Sequence, residues 1–502
     1  MEKSVDLINE RIRDGNARVV TAEEMPDIVD ELGEEGALAE VDVVTTGTFG
    51  AMCSSGAFLN FGHADPPIRM ERAWLNDVEV YSGIAAVDAY IGATQASETR
   101  GIEYGGAHVL EDLVSGGVVE LRAHSRGTDC YPRRTVTTEL VLEDLNQAVM
   151  VNPRNSFRRY AAATNSTDRV LNTYLGTLLP GCGNVTFSGA GVLNPLANDP
   201  EFRVIGPGTP IFLGGAEGMV VGEGTQHSPP TGMGNLMVTG DLHQMSPEYM
   251  RAATITRYGV SLYMGVGIPI PILDTDIVQR TAVRDSDIMT DVFDYGVPAR
   301  DRPVMAQVSY ADLRSGSVEI NGVEVKTSSM SSFRKAREIA RELARRIESG
   351  QMTIALPTRP LPTGTRCRPM RESTRAPQVR EIMSREVAAV SEDDDITTAA
   401  RTLLRGETNH LPVLDREGRL AGIVTTYDTS KAVARPSGHR QVREIMTTRV
   451  VTTRPDEPVD VAAQKLKKHN ISALPVVDNE RRVVGMLSAI DLGSLFGGRW
   501  GR

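Results

Sequence analysis

The sequence predicts a mixed α/β protein in two parts: a large N-terminal α+β domain with glycine-rich turns, then a smaller α/β module. Three observations carry this. Short β-type runs alternate with amphipathic helical runs through the first 350 residues. Fifteen glycines fall within 176–240, where the chain average would place about six. A proline- and arginine-rich stretch at 357–377 precedes a unit that repeats after 63 residues. At 502 residues the chain is too long for one ordinary core.

The elements follow in order. Val5, Ile8 and Ile12 have helical spacing, and Gly15 stops the run. Thr21 and Glu24 have the spacing of a capping box for a second helix ending at Leu32 and Gly33. Residues 41–46 read as a short buried strand, followed by a small-residue segment from Gly47 to Gly56. Residues 170–198 carry no charge, but two prolines and five glycines interrupt them, so they do not form a spanning helix. Residues 214–227 lack the Gly-Lys-Ser/Thr ending of a phosphate loop and the strand-then-helix frame of a dinucleotide fingerprint. They read as a turn-rich β region. Asn321-Gly322 between 318–320 and 323–325 marks a two-residue hairpin. Residues 332–347 form a helix with one apolar stripe, Ser332 as its N-cap and Gly350 beyond its end.

Composition removes several function classes. A net charge of −11 argues against a nucleic-acid partner held by bulk charge. The four cysteines, at 53, 130, 182 and 367, are too few and too scattered for a disulfide scaffold, a structural zinc or an iron–sulfur cluster. No metal site is expected. The polar N-terminus has no apolar signal region, so a cytoplasmic protein with reduced thiols and no membrane anchor is expected. Arginine outnumbers lysine 47 to 7. A GC-rich genome accounts for most of that, yet any anionic ligand is expected to meet arginine.

After the linker, Val379-Arg380-Glu381-Ile382-Met383 recurs as Val442-Arg443-Glu444-Ile445-Met446. Leu411-Pro412-Val413 recurs as Leu474-Pro475-Val476. Gly422 pairs with Gly485 and Asp428 with Asp491 at the same offset. This duplicated unit resembles a pair of CBS (cystathionine-β-synthase type) repeats, which form a Bateman module. The resemblance implies regulation or dimerisation, hence a homodimer. It also implies an adenosyl ligand (S-adenosylmethionine, AMP or ATP) in the clefts, with no tightly bound cofactor elsewhere. The family's hydroxyl-x-x-acid motif falls on Thr425 with Asp428 and on Ser488 with Asp491. Each acid can accept bonds from ribose hydroxyls. Each pair can equally cap the following helix.

In the first 350 residues no metalloprotease, serine-hydrolase, Walker or kinase pattern occurs. Cys130 lies in a turn-like segment with His124, Arg126, Arg133 and Arg134 within six residues. Cations stabilise a thiolate, the nucleophilic form, and the same arginines can hold a substrate carboxylate. The competing reading is an inert buried cysteine. Cys53 follows a strand end and precedes a Ser-Ser-Gly turn, which suits either a site or small-residue packing. Cys182 has no charged neighbour and reads as structural, and Cys367 in the linker has no expected role. His63, His108, His227 and His243 are single residues without metal spacing.

The segments around Cys53 (Thr-Gly-Thr-Phe-Gly-Ala-Met-Cys), around Cys130 (Arg-Gly-Thr-Asp-Cys-Tyr-Pro) and from Gly214 to His227 resemble the archaeal homocysteine biosynthesis family over about 5–355. The resemblance implies a persulfide on Cys130 and a second functional cysteine at Cys53. It implies sulfur transfer to L-aspartate semialdehyde, giving L-homocysteine. Sulfide is the implied ultimate source, directly or through a sulfur carrier. Two electrons would come from a ferredoxin-like partner, since the chain has no redox-cofactor motif of its own. The alternative is a non-catalytic adenosyl-ligand sensor whose large domain binds a partner. The expected layout is a catalytic domain at 1–356, a linker at 357–377, and repeats at 378–436 and 441–499.

Overall fold

The computed structural model describes residues 3–83, 88–370, 377–434 and 441–497, except the side chains of 494–497. It divides into two compact units, one ending at Arg368 and the other beginning at Pro369.

The large unit opens on a helix, Val5–Arg13, whose buried face is Ile8 and Ile12 and whose N-cap is Ser4. The Thr21 amide and hydroxyl both donate to Glu24 Oε2, at 2.7 Å each. Thr21, however, ends a short strand, and the helix begins later, at Met25. That helix, Met25–Glu40, is interrupted at Gly33, where φ is 69° and ψ is 170°. The sequence reading ended it there. The buried pair Ala37 and Leu38 carries it further, because apolar burial compensates for the break.

Val43–Thr45 pairs in parallel with Val19–Thr21 and antiparallel to Pro269–Pro271. The chain then enters a sheet of fifteen strands among the described residues. Part of its order is Thr135–Leu140, Val119–His124, Arg72–Leu75, Val78–Ser82, Ala89–Gly92, Gly56–Asn60 and Gln147–Asn155. Most of the glycine-rich stretch serves this sheet. Pro210–Leu213 and Ala216–Glu223 form a hairpin turning at Gly214 and Gly215, whose φ values of +60° and +98° require glycine. Ala216–Glu223 alternates buried and exposed residues, as a half-buried strand should.

The helix Phe333–Glu348 buries Ala336, Ile339, Ala340, Leu343 and Ile347, with Ser332 accepting from the Lys335 amide as N-cap. It lies against the strand leading to Cys53, and Gly47 makes the close approach possible. A Cβ at Gly47 would sit 2.2 Å from the Ala336 carbonyl oxygen and 2.8 Å from the Ala340 nitrogen. Both are backbone atoms of a packed helix. Gly47→Ala is therefore expected to cost about 3 kcal/mol, the upper range for overpacking, read as a lowered urea midpoint. An unchanged midpoint would mean that the helix shifts freely.

On the same helix, hydrogen bonds and charge from Arg345 and Arg346 lower the Glu342 carboxyl to about 2, from an ordinary 4.5. A lowered carboxylate contributes stability that is complete above 4.5 and is lost as pH falls towards 2. Acid titration of stability should show a shallower slope in that window for Glu342→Gln.

A second sheet of six strands runs Val304–Ser309, Met289–Asp294, Ala162–Thr164, Asn184–Phe187, Val323–Ser329, Ser317–Ile320. Asn321 and Gly322 turn its edge hairpin with φ of 53° and 80°, as their sequence predicts. Cys182 is buried in the core behind this sheet.

The proline-rich stretch is not free chain throughout. Leu361 is buried, the Thr358 amide donates to the Pro207 carbonyl at 2.8 Å, and His227 Nε2 lies 2.9 Å from the Pro362 carbonyl. Proline density forbids regular structure but not packing. Among the described residues, no helix is long and apolar enough to cross a membrane.

In the second unit each repeat carries a helix, a strand pair and a further helix. They are Ile396–Arg405, His410–Leu414, Leu420–Thr425 and Thr426–Ala434, then Val459–His469, Ala473–Val477, Val483–Ser488 and Ala489–Gly497. The repeats exchange their lead-in segments. Ser384 pairs with Met486 of the other repeat, and Thr447 pairs with Ile423. The repeated glycines and methionines meet there. A Cβ at Gly422 would lie 2.6 Å from Met446 Sδ, and one at Gly485 would lie 2.6 Å from Met383 Sδ.

Candidate active site

Cys130 is exposed, in the loop that joins the antiparallel strands Val119–His124 and Thr135–Leu140. The loop is ordered by its own backbone. The Tyr131 amide donates to the Thr128 carbonyl at 3.1 Å, and the Thr128 amide to the Tyr131 carbonyl at 2.9 Å. Asp129 and Cys130 therefore occupy the corner of a closed turn. Gly127 enters it at φ +77°. A second strap ties the loop to residues 63–71: Arg133 N–H donates to the Pro67 carbonyl, and the Tyr131 ring lies 6.3 Å from the His63 ring. The thiol thus stands in solvent on a constrained backbone.

The three candidate arginines divide. Arg126 is paired with Glu71 at 3.2 Å. Arg133 donates through Nε to the Thr135 carbonyl at 2.9 Å. Neither Arg133 nor Arg134 forms an ion pair with a carboxylate among the described residues, so these two retain charge for an anion. His124 ends its strand on the outer face, with its ring edge-on to Trp74 at 5.6 Å. Arg72 and Arg122 cover the same indole at 4.6 and 5.6 Å. Sequence alone does not single out Glu71 and Trp74, whose signal is their place at the start of and within the neighbouring strand Arg72–Leu75.

Cys53 has different company. Its Sγ lies 3.1 Å from the hydroxyl of the fully buried Ser261. Burial, with the Cys53 sulfur adding to it, pushes the Tyr258 and Tyr263 phenols above their ordinary 10. Tyr258 faces Tyr174 at 6.4 Å, and the Tyr174 hydroxyl lies 3.0 Å from that of Tyr295. Asn152 donates to Ser55 at 3.0 Å and fixes the turn after Cys53.

Strand register separates the two cysteines. His124 pairs with Arg72, Ala73 with Val80, Tyr81 with Tyr90, and Tyr90 with Phe58. These pairings make Val119–His124 parallel in direction to Gly56–Asn60. Cys130 follows the C-terminal end of the first strand, whereas Cys53 precedes the N-terminal end of the second. The cysteines therefore lie at opposite ends of the sheet, four strands apart. The remaining histidines serve the fold. His227 donates from Nε2 to the Pro362 carbonyl and accepts at Nδ1 from the Asn235 amide, His243 pairs with Asp241, and His108 accepts from the Gly105 amide. No group of three or more potential metal ligands occurs among the described residues.

In the second unit, Thr425 and Ser488 donate to Asp428 and Asp491 at 2.6 and 2.7 Å. The Asp428 and Asp491 amides donate back to the hydroxyls at 3.2 Å each. Both pairs are therefore helix caps, each spending one carboxylate oxygen, Oδ2, on the cap. Thr425 lines a cleft of about 650 Å³, while Ser488 and Asp491 line another of about 610 Å³. His410 lines both clefts and reaches Ser472 at 3.0 Å.

The large unit thus presents an exposed cysteine on a braced turn, and the second unit is a duplicated module with two clefts. Residues 17–354 match the homocysteine biosynthesis enzyme (sulfur-incorporation) family, and 379–435 and 442–495 match the CBS domain. The chain belongs to that homocysteine biosynthesis family. It is 51% identical to an L-aspartate semialdehyde sulfurtransferase of Methanosarcina acetivorans over 500 residues, covering 100% of both chains. It is also 51% identical to the enzyme of the same name from Methanocaldococcus jannaschii, over 99% of each chain. A crystal structure of a CBS domain pair in complex with 5′-methylthioadenosine and S-adenosyl-L-methionine is 42% identical. It covers 25% of this chain and 99% of that one, with a TM-score of 0.24.

Proposed function

We propose that the protein converts L-aspartate semialdehyde to L-homocysteine by sulfur transfer through a persulfide on Cys130. The observation that carries this is the placement of Cys130: exposed, on a closed turn, and within four residues in sequence of two arginines without carboxylate partners. The full-length likeness to two enzymes named for that activity supports it.

The terminal persulfide sulfur attacks the aldehyde carbon, and the carbonyl oxygen takes a proton. Arg133 and Arg134 hold the substrate carboxylate and orient the attack. Reductive cleavage of the S–S bond returns the Cys130 thiol and leaves an α-hydroxythiol. That species loses water to a thioaldehyde, and a second electron pair with two protons gives the thiol. The persulfide leg consumes four electrons. Making the persulfide from the Cys130 thiol and sulfide is a two-electron oxidation whose electrons go to an external acceptor such as a disulfide, so the net change from sulfide takes two electrons. Those come from an external ferredoxin-like protein, and sulfide, directly or through a carrier, is the ultimate sulfur source. Cys53 lies at the other end of the sheet, so the sulfur-bearing step is written with Cys130 alone.

In this reading residues 1–356 catalyse, 357–377 link, and the repeats at 378–436 and 441–499 regulate by binding an adenosyl ligand. The protein works as a homodimer in the cytoplasm. The test is reconstitution. Purified protein treated with sulfide and a disulfide oxidant, then given aspartate semialdehyde and a low-potential reductant, should form homocysteine, and should form none without sulfide. A chain truncated after Arg368, where the large unit ends, should retain turnover. Loss of turnover on truncation, with Cys130 dispensable in the full chain, would favour a sensor instead.

A further inference from the structure

A cluster of arginines and tyrosines gathers beside Cys53, and the sulfur transfer written above does not use it. Turns and strand ends far apart in sequence assemble it. Tyr258 sits in the turn between Met250–Ile255 and Gly259–Gly267, and Ser261, the partner of Cys53, follows on the second strand. Tyr174 sits in the turn between Leu171–Thr173 and Gly176–Leu178, with its ring 6.4 Å from that of Tyr258. The Tyr174 hydroxyl meets that of Tyr295, just past the strand Met289–Asp294, and the Arg302 guanidinium covers the Tyr295 ring at 4.2 Å. Arg154, near the end of Gln147–Asn155, completes the group. Burial raises the Tyr174 and Tyr258 phenols above their ordinary 10, against the pull of Arg154 on both and of Arg302 on Tyr174. Near neutral pH these phenols therefore keep their protons and can donate them in hydrogen bonds.

Neither arginine forms an ion pair among the described residues. Arg154 Nη1 donates instead to a neutral group, the Gln226 side-chain oxygen, at 2.6 Å. Gln226 holds a left-handed φ of +67°, a conformation that a non-glycine residue adopts only at a cost. The Arg154 amide donates to Asn152, which also fixes the turn after Cys53 through Ser55. Arg302 Nε is buried and has no hydrogen-bond partner. A buried N–H without an acceptor is destabilising, and an anion is an acceptor that relieves it.

We propose that this cluster binds a small molecule carrying an oxyanion, carboxylate or phosphate, and seats it beside the half-buried Cys53 thiol. Guanidinium groups match both anions, and the phenol hydroxyls add neutral donors. The site is separate from Arg133 and Arg134, which flank Cys130 at the other end of the sheet, and it stands whether or not sulfur is carried on Cys130. It also gives Gln226, in the glycine-rich segment 214–227, a task as the positioning residue for Arg154.

The test follows alkylation of Cys53 in the full chain by uncharged iodoacetamide, read on the Cys53 peptide by mass. The probes are succinate, inorganic phosphate and neutral succinamide. At least one anion should slow Cys53 alkylation about fivefold or more, and succinamide should not. Protection by succinate alone marks a carboxylate ligand, and protection by phosphate alone marks a phosphorylated one. Arg154→Gln and Arg302→Gln should each raise the anion concentration needed for protection about tenfold, with an unchanged unfolding midpoint. Gln226→Glu supplies an internal carboxylate to Arg154, so it should weaken protection by a similar factor without loss of stability. Equal protection by succinamide, no protection by either anion, or protection that survives both arginine variants would overturn the proposal.

Discussion

Cys130→Ser is expected to lose homocysteine formation by roughly a thousandfold or more, because serine forms no persulfide and no other group replaces the sulfur nucleophile. The variant should fold normally. Cys130 is exposed, and the turn holding it is closed by backbone bonds between Thr128 and Tyr131 that the side chain does not enter. An unchanged unfolding midpoint with lost turnover is the expected pair of results. Turnover within tenfold of wild type would remove Cys130 from the mechanism. The contrast with Cys53→Ser is informative. Cys53 sits against Ser261, far along the sheet, so its loss should leave the sulfur on Cys130 intact even where turnover falls.

The second large effect concerns folding. Asp42 is fully buried and accepts from Lys3 Nζ at 2.9 Å, from Arg11 Nη1 at 2.6 Å and, through Oδ2, from the Arg18 amide at 3.0 Å. Lys3 is itself buried, and its ammonium also donates to the Val41 carbonyl at 2.8 Å. Asp42→Ala leaves that ammonium inside the protein without its counter-charge, at a cost of about 3–5 kcal/mol. Marginal domains have little more than that in total. The expected observation is a large drop in the urea midpoint of the large unit. The double variant Lys3→Met with Asp42→Ala should recover much of it. A single variant within about 0.5 kcal/mol of wild type would show that water reaches Lys3.

Local signals in the sequence were read well where one element determined them. Asn321-Gly322 adopted the left-handed pair its dipeptide requires, and Ser332 capped the helix whose stripe follows it. The 63-residue repeat exposed the second unit because each landmark has a contact role, as Gly422 against Met446 and Gly485 against Met383 show. Sites assembled across the fold were not legible. Asp42 gains its partners from 39 and 31 residues upstream, and Arg126 meets Glu71 because the strands they flank pair in one sheet. Local pattern also misjudged extent. Gly33 broke a helix without ending it, and Pro357 opened a stretch that stays packed on the large unit through Pro362. The two candidate cysteines are visible in the sequence, but their separation follows from the strand register, which no spacing along the chain encodes.

The central claim is that sulfur reaches the substrate from Cys130. It is tested most directly by loading the protein with isotopically heavy sulfide together with a disulfide oxidant and removing the excess of both. L-aspartate semialdehyde and reductant are then added, and both the Cys130 peptide and the homocysteine formed are weighed. The peptide should first carry one extra sulfur, about 32 Da for the common isotope, removable by a thiol reductant. On addition of substrate that sulfur should leave the peptide and appear in homocysteine in equal amount. Labelled homocysteine formed while the Cys130 peptide never carries the label would contradict the account.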